Sequence, residues 1–207
     1  VESTAPAPLS PTVTDNPGAA AASGADLFSV TPLRIALLAL PNSFDPALFA
    51  VIDAYPFGFA VYDGLVWVDQ SLTPQPMLAE SWEVNQNGRR WTFHLRRDVL
   101  FHHATPFAAE DVVYTFTRLL DPTLASPLQP VLSFIDRVEA DGEYTVHFWL
   151  NAPNADLPLL LAAPQTRILP HDYPIAQLLV KPSGTGPFLF TTLLPGERIT
   201  YTRNPDY

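Results

Sequence analysis

Three strand pairs, each interrupted by a turn signal, give the clearest pattern of apolar and polar positions along the chain. The dipeptides Asn87-Gly88, Asp141-Gly142 and Pro195-Gly196 each separate two short stretches in which apolar and polar residues alternate. Alternation with a period of two is typical of a strand with one buried face, and glycine supplies the positive φ angle of a tight turn. The sequence therefore predicts three β-hairpins.

One amphipathic helix is predicted from Ala108 to Leu120. Val112 and Phe116 begin an apolar stripe that recurs at helical spacing. Glu110 and Asp111 fall in the first turn, where carboxylates interact favourably with the helix dipole. These two acids therefore have an ordinary structural explanation.

Weaker patterns predict four further elements. Leu33–Leu40 is short, apolar and bounded by prolines, which is typical of a buried strand. Residues 53–68 are expected to hold a short helix that leads to a strand at Leu65–Val68, and a second helix is expected at Leu157–Ala163. With the hairpins, these elements indicate an α+β fold.

Residues 1–31 have a different composition from the rest of the chain. Small residues and proline dominate this stretch and no apolar period is present. Such a segment buries too little surface to offset the entropy of ordering. We interpret it as a flexible tether, with a disordered terminus or a cloning remnant as the alternative. Because the chain does not begin with Met, we expect a processed or trimmed product.

Charge and cysteine content exclude several classes of protein. The chain of 207 residues has a formal net charge of −10, with one lysine and ten arginines. Binding to nucleic acid is not expected, because phosphate contacts need a basic face. The absence of cysteine excludes disulfides and thiolate metal sites. No apolar run approaches the roughly 20 residues that span a bilayer.

Two adjacent histidines beside the acidic pair raise the question of a catalytic or metal site. His102 and His103 are predicted to end a strand and to point to opposite faces, whereas Glu110 and Asp111 diverge by about 100° on a helix. His94 and His102 could meet across a strand pair, but no two histidines have zinc-binding spacing on one helix. The chain also lacks a nucleophile elbow. We predict no catalytic residue, no metal and no cofactor.

The order of several motifs resembles the family 5 extracellular solute-binding proteins of ABC importers, the peptide-, dipeptide- and nickel-binding type. These motifs are "VYDGL", "FHHATPFAAEDVV", "GTGPF" and the final "ERITYTRNPDY". The similarity extends from Leu33 to Tyr207. It implies a type II periplasmic-binding-protein fold built as a two-lobed clamp, of which this chain resembles the N-terminal portion, with the second lobe missing.

The resemblance also implies an organisation of the chain. Residues 32–60 and 181–207 correspond to parts of lobe one, and residues 61–180 to an inserted subdomain rich in hairpins. The chain length is short for the family, so we expect an incomplete clamp that binds a free peptide weakly or not at all.

The function implied by the resemblance is non-covalent capture of a peptide or other small solute and its delivery to ABC permease subunits. The protein would act outside the cytoplasmic membrane, in the periplasm or at the cell surface, and contact the membrane only through its tether. Two alternatives remain open. The chain could be a degenerate relative that serves as a structural or protein-interaction subunit, with a protein partner on the open lobe face, or a nickel-type binding protein.

The resemblance places ligand-binding residues in four short stretches. The family's ligand-facing loop corresponds to residues 47–55, where apolar residues replace the acid that often binds a ligand amine. The other stretches are the "YDG" motif, the "ASPL" loop and the "GTGPF" loop. The candidate ligand-binding residues are Phe49, Val51, Ile52, Asp53, Tyr62, Asp63, Leu128, Gly184 and Thr185.

Overall fold

The computed structural model describes residues 32–37 and 43–207. The described residues from Leu37 onward belong to one compact unit. The predicted tether, residues 1–31, lies outside the described residues. The prediction of a buried strand at Leu33–Leu40 is wrong for its described part: residues 32–37 have no regular secondary structure, and Leu33 and Ile35 are 84% and 69% exposed. Residues 38–40 lie outside the described residues. A strand needs a hydrogen-bonded neighbour, and no described strand pairs with this stretch.

The described residues form short helices and eight strands, in three separate antiparallel sheets. The strands are β1 (Val66–Val68), β2 (Pro74–Pro76), β3 (Ala79–Val84), β4 (Arg90–Leu95), β5 (Ile135–Ala140), β6 (Thr145–Leu150), β7 (Phe188–Leu194) and β8 (Arg198–Arg203). The α-helices are α1 (Tyr55–Val61), α2 (Ala109–Leu120), α3 (Gln129–Leu132), α4 (Leu157–Leu160) and α5 (Ile175–Leu178). Single 3-10 turns lie at Pro46–Leu48, Ile52–Ala54, Pro122–Leu124 and Pro164–Thr166.

All three predicted hairpins are confirmed. Strands β3 and β4, β5 and β6, and β7 and β8 pair antiparallel across the predicted turns. Gly88, Gly142 and Gly196 have φ angles of 68°, 77° and 73°, the left-handed conformation that glycine adopts without a steric penalty. The first two hairpins join into one sheet of order β3-β4-β6-β5.

Helix α2 packs on the inner face of this four-stranded sheet. Its Phe116 meets Phe148 of β6 edge to face, with ring centroids 4.9 Å apart, and Phe148 meets Phe93 of β4 at 5.3 Å. All three rings are fully buried. Together with the surrounding aliphatic side chains they form the first hydrophobic cluster, which also includes Leu65 and Ile168.

The predicted helix is confirmed as α2, although its cap differs from the usual pattern. Ala108 occupies the N-cap position and offers no side-chain acceptor. Instead, the carboxylate of Asp111 accepts a hydrogen bond from the backbone N–H of Ala108 at 2.8 Å. Half of a capping box therefore stabilises the start of the helix.

A second hydrophobic cluster lies beside the first. It joins the segment before α1, helix α1 itself and the β7–β8 hairpin. Its buried members are Phe44, Phe49, Ala54, Phe57, Val61, Tyr62, Leu169 and Leu178. None of the helices in the part of the chain that the structure describes is long and apolar enough to span a membrane.

Two local predictions need correction. His102 and His103 do not end a strand; they lie in a turn that begins after Phe101, and Ala104 in this turn has a φ of 68°. The predicted helix at Leu157–Ala163 is shorter, since α4 ends at Leu160. Both errors concern short segments whose backbone follows distant contacts more than local propensity.

Candidate functional site

Two segments that are distant in sequence cross closely at one point, here called the glycine crossing: Val61–Asp63 and Gly184–Gly186. The N–H of Gly186 donates to the carbonyl oxygen of Val61 at 3.0 Å, and the Thr185 hydroxyl donates to the Asp63 carboxylate at 3.0 Å. A Cβ atom on Gly184 would lie 2.1 Å from the Val61 oxygen. Glycine is therefore needed at this point to let the two backbones touch.

The paired histidines hold the glycine crossing from the other side. The backbone N–H of His102 donates to the carbonyl of Gly184 at 2.8 Å, and its ring Nε2 lies 2.9 Å from the carbonyl oxygen of Gly186. The ring Nδ1 of His103 lies 2.7 Å from the Ser183 hydroxyl. The two histidines thus contact one loop, and the structure gives them a role in holding that loop.

Two charged side chains are buried next to the crossing. Asp63 and Arg167 are 3% and 4% exposed. The Arg167 guanidinium stacks over the ring of Phe59 at 4.7 Å from its centroid. One oxygen of Asp63, Oδ1, and the Nε of Arg167 have no hydrogen-bond partner. Unsatisfied buried polar atoms are uncommon in proteins and draw attention to this position.

Burial is the largest cause of the pKa shifts of Asp63 and Arg167. It raises the pKa of Asp63 above its ordinary value, while the Thr185 hydrogen bond and the charge of Arg167 act in the opposite direction. Burial also lowers the pKa of Arg167 to about 10, although the charge of Asp63 opposes this change. Both shifts follow from the cost of placing a charge away from water.

The raised pKa of Asp63 predicts the sign of a pH effect. Between the unfolded pKa and the higher folded pKa, the folded protein holds the proton on Asp63 more tightly than the unfolded chain does. Asp63 therefore lowers stability progressively as pH rises through this window, and its cost is complete above it. We expect the stability of Asp63→Asn relative to the wild type to increase from pH 3.5 to pH 7, measured by urea unfolding at each pH. A relative stability that falls over this range would contradict the assignment.

A second group of candidate residues lies on the segment before α1. The 3-10 turn Pro46–Leu48 is capped by Asp45, whose carboxylate accepts from Ala47 N–H at 3.1 Å and pairs with Arg118 of α2 at 2.6 Å. The Gln165 side chain donates to the carbonyl of Phe49 at 2.6 Å. These contacts fix the path of the chain as it enters residues 51–53.

The loop that contains Leu128 reaches the same segment. The Ser126 hydroxyl donates to the carbonyl of Ala47 at 2.6 Å and also accepts from the N–H of Leu128. The structure therefore brings the loop of Leu128 and the segment of Phe49 together, although 79 positions separate Ser126 from Ala47.

The candidate residues differ in their solvent exposure. Val51 and Ile52 are 50% and 76% exposed, and Asp53 and Leu128 are half-buried. By contrast, the ring of Phe49 is buried, as is Tyr62, whose hydroxyl donates to the carbonyl of Phe44 at 2.9 Å. Tyr62, Asp63, Gly184 and Thr185 meet at the glycine crossing, whereas the other candidates lie on the segment before α1 and its neighbouring loop.

Sequence reasoning missed Arg167, Phe59 and the role of His102. Arg167 had a detectable signal, since it is the one charge between Leu157 and Leu169, an otherwise uncharged and largely apolar stretch. A lone charge in such a stretch is commonly paired or functional when it is buried. For Phe59, 47% exposed, no pattern distinguished it from the other aromatic residues of α1.

No group of three or more potential metal ligands comes together among residues 32–37 and 43–207. His102, His103 and His171 instead bond to backbone, hydroxyl and carboxylate partners within the protein.

Comparison with known families decides the identity of the chain. The model for bacterial extracellular solute-binding proteins, family 5, matches residues 73–207. The chain belongs to this family. A curated relative, Di/tripeptide-binding protein 2 of Pseudomonas aeruginosa, is 35% identical over 90% of this chain and 40% of its own length. The family 5 chain therefore spans about two-fifths of the length of that relative.

Solved structures of similar proteins confirm the fold expected for a family 5 protein. DppA from Helicobacter pylori, in complex with the peptide STSA, is 32% identical and superposes with a TM-score of 0.75 over 82% of this chain and 38% of its own. NikA from Brucella suis, in complex with Fe(III)-EDTA, is 30% identical with a TM-score of 0.74 over 82% of this chain and 35% of its own. The predicted class, a solute-binding protein of the periplasmic-binding-protein type rather than an enzyme, is confirmed by these relatives.

Proposed function

We propose that the protein is the substrate-binding component of an ABC-type peptide importer, which captures its ligand non-covalently and delivers it to permease subunits. The observation that carries this proposal is the 35% identity to a di/tripeptide-binding protein over 90% of the chain. The peptide in the complex of the similar H. pylori protein supports the same ligand class.

The chemistry of the candidate site fits a short peptide. Val51 and Ile52 offer exposed apolar surface for ligand side chains. Asp53 and Leu128, both half-buried, extend the proposed ligand wall, and the buried crossing residues Asp63, Gly184 and Thr185 form its base. The buried rings of Phe49 and Tyr62 support this wall from behind, through edge-to-face contacts with Phe57 at 6.2 and 6.0 Å.

The proposed organisation follows the two hydrophobic clusters. Residues 32–60 and 181–207 belong to lobe one in this proposal, and four of the eight buried members of the second cluster come from them. Residues 61–180 form the inserted subdomain, which contains the four-stranded sheet and α2. We further propose that residues 1–31 tether the protein outside the cytoplasmic membrane.

A direct test uses two separate samples, the protein isolated from its native source and the 207-residue chain. Native mass spectrometry of the isolated protein reports its intact mass and any ligand that remains bound. We expect a di- or tripeptide to be retained, and we expect the 207-residue chain to bind the same peptides weakly by NMR titration. Free amino acids and a nickel chelate serve as comparison ligands. Retention of the chelate with no response to any peptide would overturn the peptide assignment.

A second candidate function, a protein-interaction subunit, is favoured by the exposed apolar side chains of the unit. Ile52 and Val180 are 76% and 74% exposed, and exposed apolar surface often marks a protein partner. Isolation of the protein in a stable complex with another protein, without bound peptide, would support this candidate over ligand capture.

A further inference from the structure

The two ring nitrogens of His102 face partners that allow one tautomer. Nε2 lies 2.9 Å from the carbonyl oxygen of Gly186, which can only accept, so Nε2 carries the proton. Nδ1 accepts a hydrogen bond from the backbone N–H of Gly184 at 3.4 Å, so it must keep its lone pair. The ring is therefore neutral, and it bonds both glycines of the loop.

The loop itself contains no group that titrates near neutral pH. Residues 183–186 are Ser-Gly-Thr-Gly, and the two glycines have no side chain with which to anchor themselves. Asn204 donates to the carbonyl of Gly186 at 3.1 Å, but an amide does not change its charge with pH. His102 is thus the titratable side chain in direct contact with both glycines of this loop.

The surroundings of His102 make a second proton on its ring unfavourable. Burial, the largest cause, lowers the pKa of His102; the hydrogen bond to Gly186 opposes this, and the adjacent His103 acts in the same direction as burial. The ring of His103 contacts Ser183, Thr105 and Asp172. The carboxylate of Asp63 is bonded to Thr185 of the same loop.

We propose that His102 is a positioning residue of the ligand site: its neutral ring sets the backbone of Gly184–Gly186, and ligand affinity falls when the ring gains a proton. This rests on the proposed function, because it takes the buried loop of Gly184 and Thr185 to form the base of the ligand wall. A proton on Nδ1 would face the N–H of Gly184 and break that hydrogen bond. Thr185 would then lose the backbone geometry that directs its hydroxyl to Asp63.

The direction of the pH effect follows from the lowered pKa. Since the folded protein binds this proton less readily than the unfolded chain, the contribution of His102 is complete above pH 6.5 and is lost as pH falls through the folded pKa. Ligand binding should therefore weaken as the His102 ring of the folded protein gains its proton, at a pH below 6.5.

Two measurements on the 207-residue chain test the proposal. Imidazole ¹⁵N shifts report which nitrogen of His102 is protonated, and the amide shift of Gly184 reports the loop, both followed from pH 7.5 to pH 5 without ligand. NMR titration with an Ala-Ala dipeptide gives affinity over the same range for the wild type, His102→Gln and His94→Gln. Glutamine keeps a donor for Gly186 and does not titrate, and His94 is an exposed residue on β4 that serves as the control.

We expect an Nε2–H ring at pH 7.5, a Gly184 amide that shifts as His102 titrates, and an affinity that falls over the same pH range as the His102 signals in the wild type and His94→Gln. His102→Gln should show a flat pH profile. A wild-type profile in His102→Gln, or a ring protonated at Nδ1 at pH 7.5, would overturn the proposal. Should no peptide bind the 207-residue chain at any pH, ligand capture by this part of the protein fails, and the ¹⁵N and amide shifts of the wild type still decide the role of His102. If His102→Gln does not fold, the chemical shifts of the wild type still decide the role of His102.

Discussion

Gly184→Ala is expected to lower the free energy of unfolding by about 3 kcal/mol or more. The new Cβ would lie 2.1 Å from the carbonyl oxygen of Val61 and 2.5 Å from the ring of Tyr62. Both neighbours are held in place, since Tyr62 is fully buried and Val61 bonds Gly186. The two segments must separate to admit the methyl group, which breaks the contacts at the glycine crossing. Urea unfolding followed by tryptophan fluorescence measures the loss.

Gly142→Ala is the matched control for this substitution. A Cβ on Gly142 would meet nothing within 4 Å, but its φ of 77° strains any other residue. That strain costs about 1–2 kcal/mol, so the control should lose clearly less stability than Gly184→Ala. Equal losses would mean that the collision at the crossing is relieved by movement of the loop.

Asp45→Ala is expected to lower the free energy of unfolding by about 3–5 kcal/mol, the usual cost of leaving a buried charge without its partner. The substitution removes the ion pair with Arg118, whose nitrogen lies 2.6 Å from the carboxylate. The side chain of Arg118 is 18% exposed and that of Asp45 only 3%, so water cannot fully replace the lost partner. It also removes the acceptor that caps the turn at Pro46–Leu48. Urea unfolding gives the magnitude, and amide hydrogen exchange over residues 47–54 reports the loosening of the segment.

Asp136→Ala provides the comparison for an exposed ion pair. Asp136 pairs with Arg137 at 2.8 Å, and both side chains are 49% exposed. Exposed pairs contribute little to stability, so this variant should unfold almost as the wild type does. If the two variants were equally destabilised, burial of the Asp45 pair would not be the cause.

The elements that sequence patterns predicted well are those in which the information is local. A hairpin needs a glycine at the turn and alternation on both sides of it, and all of these lie within about 15 residues of one another, as around Asn87-Gly88. Helix α2 likewise carries its own stripe and its own first-turn acids. The ordered motifs that run from "VYDGL" to "RNPDY" were sufficient to recognise the family without any knowledge of the contacts.

The apolar stretch Leu33–Leu40 shows where local information is insufficient. Its composition favours a strand, yet Leu33 and Ile35 lie exposed and unpaired among the described residues. A strand is stabilised by hydrogen bonds to its neighbours, and those neighbours are not encoded in the strand itself.

The hairpins, the main helix and the family can thus be read directly from the sequence, because each depends on residues that are close together in the chain or on the order of motifs. The candidate site depends on tertiary contacts. His102 meets Gly186 across 84 positions, and Thr185 meets Asp63 across 122. Which of two adjacent histidines must stay neutral, and which carboxylate is buried beside an arginine, are decided by burial and by the distant partner. These are properties of the folded chain, since hydrogen-bond partners and desolvation arise only once the distant segments have come together.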